Sequence, residues 1–218
     1  MRLMIVVLLL LLVLGCSSPG GTMPSDGSVQ PSGDGSVQPA DPFVRTVVDA
    51  ADRVPNVQYR YSLLPNLNTH VVTVLGAKFR AALDHGIAVK PYSVVYVDRD
   101  KKEAFGVCEY LNYEACKPLG KVTALDIVDV DLVTPFDWVV TVPVDARIIG
   151  TESIDRQDAH IVEFGDADRL VRMWVHDFYL LPMKVQVLRD DEVLETHVYT
   201  LLQVGNVKEK DVAPPIRS

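Results

Sequence analysis

The most constraining feature of this 218-residue chain is a succession of short segments in which apolar and polar residues alternate, each closed by a polar turn. Val57-Gln58-Tyr59-Arg60-Tyr61-Ser62-Leu63 alternates with period two, and after Pro65-Asn66-Leu67-Asn68 a second run covers 69–75. The same texture predicts strands over 78–83, 92–98, 104–109, 146–154, 160–165, 171–176, 183–188 and 195–204. Period two sends successive side chains to opposite faces, so each segment offers one apolar face and one wet face. Many such segments joined by polar turns predict an antiparallel sheet that curls into a half barrel or sandwich. Asp98-Arg99-Asp100-Lys101-Lys102 and Arg189-Asp190-Asp191-Glu192 read as hairpin turns. Helical signals are fewer. Asp41 can cap, Pro42 suits a first helical position, and Val44, Val47, Val48 and Ala51 share one face before Pro55. Thr134-Pro135-Phe136-Asp137-Trp138 opens like a second, short helix that Pro143 closes.

The chain is 48% hydrophobic, and much of that apolarity sits at the front. Arg2 precedes an uninterrupted apolar run from Leu3 to Leu14, followed by Gly15-Cys16. As a helix that run rises about 18 Å, short of the roughly 20 residues a bilayer crossing requires. A charged start, a short apolar core and a small-residue exit form a secretory signal. With cysteine at the exit, the stretch resembles the lipobox of prokaryotic lipoproteins. That resemblance implies cleavage after residue 15 and an acylated Cys16 that anchors the mature protein in membrane lipid. It places the protein on the extracytoplasmic side of a cell membrane, with Ser17 resembling residues that permit passage to an outer membrane. Loss of residues 1–15 removes one of the 21 basic residues, Arg2, and none of the 29 acidic ones, so net charge moves from -8 to -9. Such a balance argues against a nucleic-acid partner, which requires a clustered cationic face.

Residues 16–41 form a Ser-, Gly- and Pro-rich tether. Asp26-Gly27-Ser28-Val29-Gln30-Pro31 recurs as Asp34-Gly35-Ser36-Val37-Gln38-Pro39. Nothing in it can be buried in quantity, so a flexible linker is expected, with a span of roughly 25–30 Å. The folded domain is 42–218.

Within that domain, Gly150, His160-Ile161-Val162-Glu163-Phe164, Met173-Trp174-Val175-His176-Asp177, Leu181-Pro182-Met183-Lys184-Val185 and the closing Tyr199, Val204, Asn206 and Ala213-Pro214-Pro215 follow one another in a telling order. The order resembles the LolA/LolB-like outer-membrane lipoprotein-sorting family over roughly 41–215, without a counterpart for 108–138. The resemblance implies a mainly β, α+β fold: a strongly curved antiparallel half barrel with helices over its concave face. It further implies binding of acyl chains, lipids or lipoproteins as an acceptor or sensor. Tyr59, Tyr61, Met173, Val175, Met183 and Val185 are the candidate groove residues, because alternation puts them on apolar faces and methionine suits flexible apolar partners. They serve equally as ordinary core.

With Cys16 acylated, Cys108 and Cys116 remain, and the compartment implied by the signal permits disulfides. A Cys108–Cys116 bond is expected. No catalytic signature occurs: neither a Gly-x-Ser-x-Gly elbow, a His-Glu-x-x-His helix nor a phosphate loop, so no enzyme, cofactor or metal is expected. Asp126, Asp129, Asp131 and Asp137 lack the glycine turn of a calcium loop and read as a solvated strand face. The alternative to lipid binding is an envelope protein-interaction or regulatory module with a closed core. Replacing Cys16 by Ser is expected to release the protein from the membrane fraction; continued membrane association of Cys16→Ser would overturn the lipobox reading.

Overall fold

Alternation is realised as one 11-stranded antiparallel sheet in a computed structural model that describes residues 41–53, 55–64, 69–83, 92–110, 116, 119–166 and 168–215. The signal, Cys16 and the tether through residue 40 lie outside the described residues. The first helix, α1 (Pro42–Ala50), starts as its sequence dictates: the Asp41 side chain accepts from Phe43 N at 2.8 Å and Pro42 takes the first position. Its buried stripe is Val44, Val47 and Ala50.

The chain then runs through β1 (Asn56–Leu64), β2 (Thr69–Leu75), β3 (Lys78–Ala82), β4 (Val94–Asp98), β5 (Glu103–Val107) and β6 (Val122–Leu125). A connection follows that contains a 3₁₀ turn (Ile127–Asp129) and α2 (Pro135–Val139). The second half comprises β7 (Arg147–Ile154), β8 (Gln157–Gly165), β9 (Leu170–His176), β10 (Pro182–Arg189), β11 (Glu192–Val204) and α3 (Glu209–Val212). Strand order is β6-β5-β4-β3-β2-β1-β11-β10-β9-β8-β7. The first meander therefore walks outward from a central β1–β11 pair to one edge, and the second starts at the opposite edge and walks back. Both predicted hairpins form; Asp190 and Asp191, each with positive φ, make the two-residue turn between Arg189 and Glu192.

This order forces residues 126–146 to travel from the β6 edge to the β7 edge. The route lies over the apolar face. Val130, Trp138, Val139, Val142 and Ala146 are buried in the same cluster as Val57, Val72 and Phe79 of the first meander, Val162, Met173 and Val185 of the second, and the α1 stripe. Cover comes from this largely irregular connection, its five-residue helix α2 and the nine-residue α1, and thus contains less helix than the family resemblance implies. Gly106 faces Tyr92 on that side; a Cβ there would lie 2.6 Å from the ring, which accounts for glycine within a strand.

Two expectations are corrected. Strand β6 and helix α3 were not foreseen, being four residues each with weak patterns of their own. Asp126, Asp129, Asp131 and Asp137 do not form a strand face. Asp126 caps the 3₁₀ turn through Val128 N, at 3.1 Å. Asp137 closes a capping box with Thr134, its Oδ2 accepting from Thr134 N at 2.7 Å. Asp131 and Asp137 both receive the Arg99 guanidinium from the β4–β5 turn, at 2.8–2.9 Å to Asp131 and 2.8–3.1 Å to Asp137; Arg99 also donates to Leu132 O at 2.8 Å. A rigid fork filled on both sides is a use that lysine cannot imitate.

Arg99 thus latches the crossing connection to the sheet. Arg99→Met is expected to lower unfolding free energy by about 1.5–3 kcal/mol, the usual value of charge-assisted hydrogen bonds, with Arg99→Lys recovering only part. Urea denaturation checks this; an unchanged midpoint in Arg99→Met would mean that the latch contributes no stability.

Candidate functional site

The six candidate groove residues are brought together on the covered face of contiguous strands. Met173 pairs with Val185 and Val185 with His197, while Tyr61 pairs with Tyr199. All six are buried, with exposures from 0% at Met173, Val175 and Val185 to 5% at Tyr61. Side chains of α1, the crossing connection and the sheet occupy the space above them.

Around Tyr59 and Tyr61 the sequence reading passed over the residues that complete a polar network. Tyr61 stacks on Tyr199 at 5.4 Å between centroids, and Tyr59 meets Tyr199 edge-on at 5.4 Å. Trp138 Nε1 donates to the Tyr199 hydroxyl at 2.9 Å, and that hydroxyl donates to Val133 O at 3.0 Å. One strand and the crossing connection are thereby tied together by a buried aromatic pair. Alternation along 195–204 already puts His197 and Tyr199 on one face; the partner Trp138 is 61 residues away in sequence from Tyr199, and no spacing reveals it.

Burial, reinforced by Glu195, pushes the Tyr61 phenol up to about 12. It is therefore a neutral donor, and its hydroxyl gives a hydrogen bond to His197 Nδ1 at 3.0 Å. His197 Nε2 faces Glu195 Oε2 at 3.2 Å and donates to it. Burial raises Tyr59 and Tyr199 as well, and lowers His197 from its ordinary 6.5 against the opposing pull of Glu195. Burial thus favours the protonated form of all three phenols.

An apolar cavity opens beside this network. It measures about 130 Å³ between β2–β4 and the crossing connection, and its lining includes Ala81, Leu83, Tyr92 and Val95 from the sheet side and Val130 and Leu132 from the cover. His70 and Asp129 are its polar members. A larger cavity of about 430 Å³ lies on the opposite, outer face, and a third of about 180 Å³ lies between β4–β5 and α3. None of the six candidate groove residues lines any of these three. Cys108 and Cys116 are bonded, with Cα atoms 5.3 Å apart, as expected. The bond anchors the chain next to Glu109, which pairs with Arg80 on the outer face. Among the described residues, no group of three or more His, Cys, Asp or Glu is arranged to hold a metal ion, and no helix is long and apolar enough to cross a membrane.

Neither a protein-family model nor a curated protein matches the chain. Solved structures do. MucB in complex with MucA(peri) matches with a TM-score of 0.48 and 15% identity, over 79% of this chain and 59% of that one. LprF from Mycobacterium bovis matches at 0.42 and 12%, over 81% of this chain and 100% of that one. A putative outer membrane lipoprotein-sorting protein domain from Vibrio parahaemolyticus matches at 0.35 and 9%, over 78% and 94%. This chain spans about three-fifths of the MucB length. What the sheet itself shows is an open, antiparallel array with one covered face.

Two buried histidines, His197 in this network and His176 at the end of β9, give the fold a pH dependence. Burial lowers His176 as well as His197. The unfolded chain takes up these protons near 6.5, whereas the folded chain resists them. The stability they contribute is therefore complete above that value and is lost as pH falls from it through the lowered folded-state values. Unfolding free energy is expected to decline between about pH 7.5 and about pH 5.5, with a shallower decline in His197→Gln. Denaturant titrations at several pH values test it; equal slopes in the two proteins would remove His197 from the account.

Proposed function

We propose that the chain is a lipid-anchored extracytoplasmic protein, held through acylated Cys16, whose domain binds acyl chains, lipids or lipoproteins without performing chemistry. The observation that carries the reading is the apolar cavity between β2–β4 and the crossing connection, about 130 Å³ in volume. At about 30 Å³ per water it equals about four waters, enough for the end of an acyl chain. Each methylene buried there contributes about 0.8 kcal/mol. A longer chain needs the connection to move, and Arg99 is the contact to be released.

A second reading is favoured by a different observation. Tyr59, Tyr61, Met173, Val175, Met183 and Val185 are fully packed, as in a protein-interaction or regulatory module with a closed core and no lipid ligand.

Native mass spectrometry and lipid extraction of the purified full chain, with titration of a fluorescent fatty acid, separate the two. The lipid reading expects copurified acyl species beyond the anchor and at least about tenfold weaker probe binding in Ala81→Leu, which fills the cavity. Absence of both bound lipid and probe binding would favour the closed module.

A further inference from the structure

The outer face of the sheet holds a built pocket of different chemistry. Gln203, Gln58, Thr73, Arg80 and Tyr96 are directly paired across β11, β1, β2, β3 and β4. Directly paired residues share a face, and at about 4.8 Å per strand these five side chains form one continuous polar row. Their neighbours one position along, Val57, Val74, Phe79 and Val97, face the other way into the core.

A merely solvated row would lie open, but this one is walled. After β11 the chain turns back over the outer face, where Asn56 holds Val207 from both sides: its side-chain amide donates to Val207 O at 3.3 Å and its Oδ1 accepts from Val207 N at 2.9 Å. Lys78 pairs with Glu209, and Val212 is buried. Asn206, Lys210 and Asp211 thereby become the wall of a cavity of about 430 Å³, within the ~300–1,000 Å³ range of small-molecule sites.

Charge in this pocket is largely spent internally. Arg80 pairs with Glu109 and donates to the Tyr96 hydroxyl at 3.2 Å, while that hydroxyl donates to Glu109. Lys210 and Asp211 contribute one charge of each sign. What remains to recognise a ligand is a set of neutral groups: the carboxamides of Gln58, Gln203 and Asn206 and the hydroxyl of Thr73. A carboxamide presents donors beside an acceptor, and a hydroxyl presents both at one atom. Adjacent hydroxyls of a sugar ring offer the complementary pattern, and an extended hexopyranose chain repeats at close to the strand spacing.

We propose that this outer-face pocket binds a neutral, polyhydroxylated ligand, a short saccharide laid across β11, β1 and β2. The site is separate from the apolar cavity and stands whether or not that cavity takes lipid.

The test is calorimetric titration of the full chain, in a zwitterionic detergent, with the neutral trisaccharides cellotriose and chitotriose and with citrate as an anionic comparison. Saturable binding of a trisaccharide is expected, weakened at least about tenfold by Gln58→Leu and by Thr73→Val at unchanged Tm. If Thr73→Val lowers Tm, the exposed Gln203→Leu is read in its place. Fatty-acid probe binding should be the same in all of these variants. No trisaccharide binding, binding indifferent to the substitutions, or citrate bound more tightly than either sugar through Lys210 would each overturn the proposal.

Discussion

An open antiparallel sheet has to remove one apolar face from water, and strand order decides which part of the chain can do so. Here the first meander ends at one edge and the second begins at the other. The link between them must cross the full width of the sheet. Residues 126–146 therefore serve as cover first and connection second, and their sequence shows it: Val130, Trp138, Val139 and Val142 enter the core, each with about 1.5–3 kcal/mol available from burial. Backbone so irregular leaves polar groups to satisfy. Thr134, Asp126 and Asp137 satisfy several of them locally, and Arg99 and Tyr199 reach up from the sheet to Leu132 O and Val133 O. The positions of the apolar cavity and of the tyrosine–histidine network both follow from this crossing.

The sheet was legible because its signal is local. Alternation along 57–63 or 171–176 needs nothing beyond the segment itself, and the structure keeps those faces: Met173 and Val175 inward, Arg172 toward Glu163 and Trp174 outward over Lys184. The helix starts at Asp41 and Thr134 were equally readable, since a cap and a following proline are neighbours in sequence. The crossing connection was not. Ile127-Val128-Asp129-Val130-Asp131 imitates a half-buried strand, and only Arg99, about thirty residues earlier, shows that Asp131 faces a partner rather than water alone. The candidate site was half legible for the same reason. Tyr59, Tyr61 and the two methionines were placed on the right face by period two, but whether that face is a slot or a core depends on the cover, which sequence spacing does not encode. The outer pocket was invisible, because Gln58, Thr73 and Gln203 read singly as ordinary wet-face residues until pairing aligns them.

The two faces present two kinds of chemistry. On the covered face, affinity comes chiefly from area, because Tyr61, His197, Trp138 and Tyr199 already use their polar groups within the fold. Removing one partner would leave a buried polar atom unsatisfied, at a cost of about 1–3 kcal/mol. On the outer face, little apolar area is available and the uncommitted groups are neutral amides and a hydroxyl. A ligand suited to one face is unsuited to the other, so the same sheet can carry both without competition. The Cys108–Cys116 bond belongs to the outer face in this division, because it fixes Glu109 beside Arg80 and thereby cancels a cation that would otherwise bias the pocket toward anions.

On the proposed lipid reading, the state of the cover limits how tightly the apolar face binds. With the latch closed, only a chain end fits. If opening, of which the release of Arg99 from Asp131 and Asp137 is one part, costs about 3 kcal/mol, the open form is populated at roughly one part in 150, and the apparent affinity for a long acyl chain falls by that same factor. About four further methylenes, at about 0.8 kcal/mol each, would offset the loss. On that reading short chains are bound by the closed form and long ones only after opening, so discrimination by chain length would rest with the cover rather than with the cavity lining.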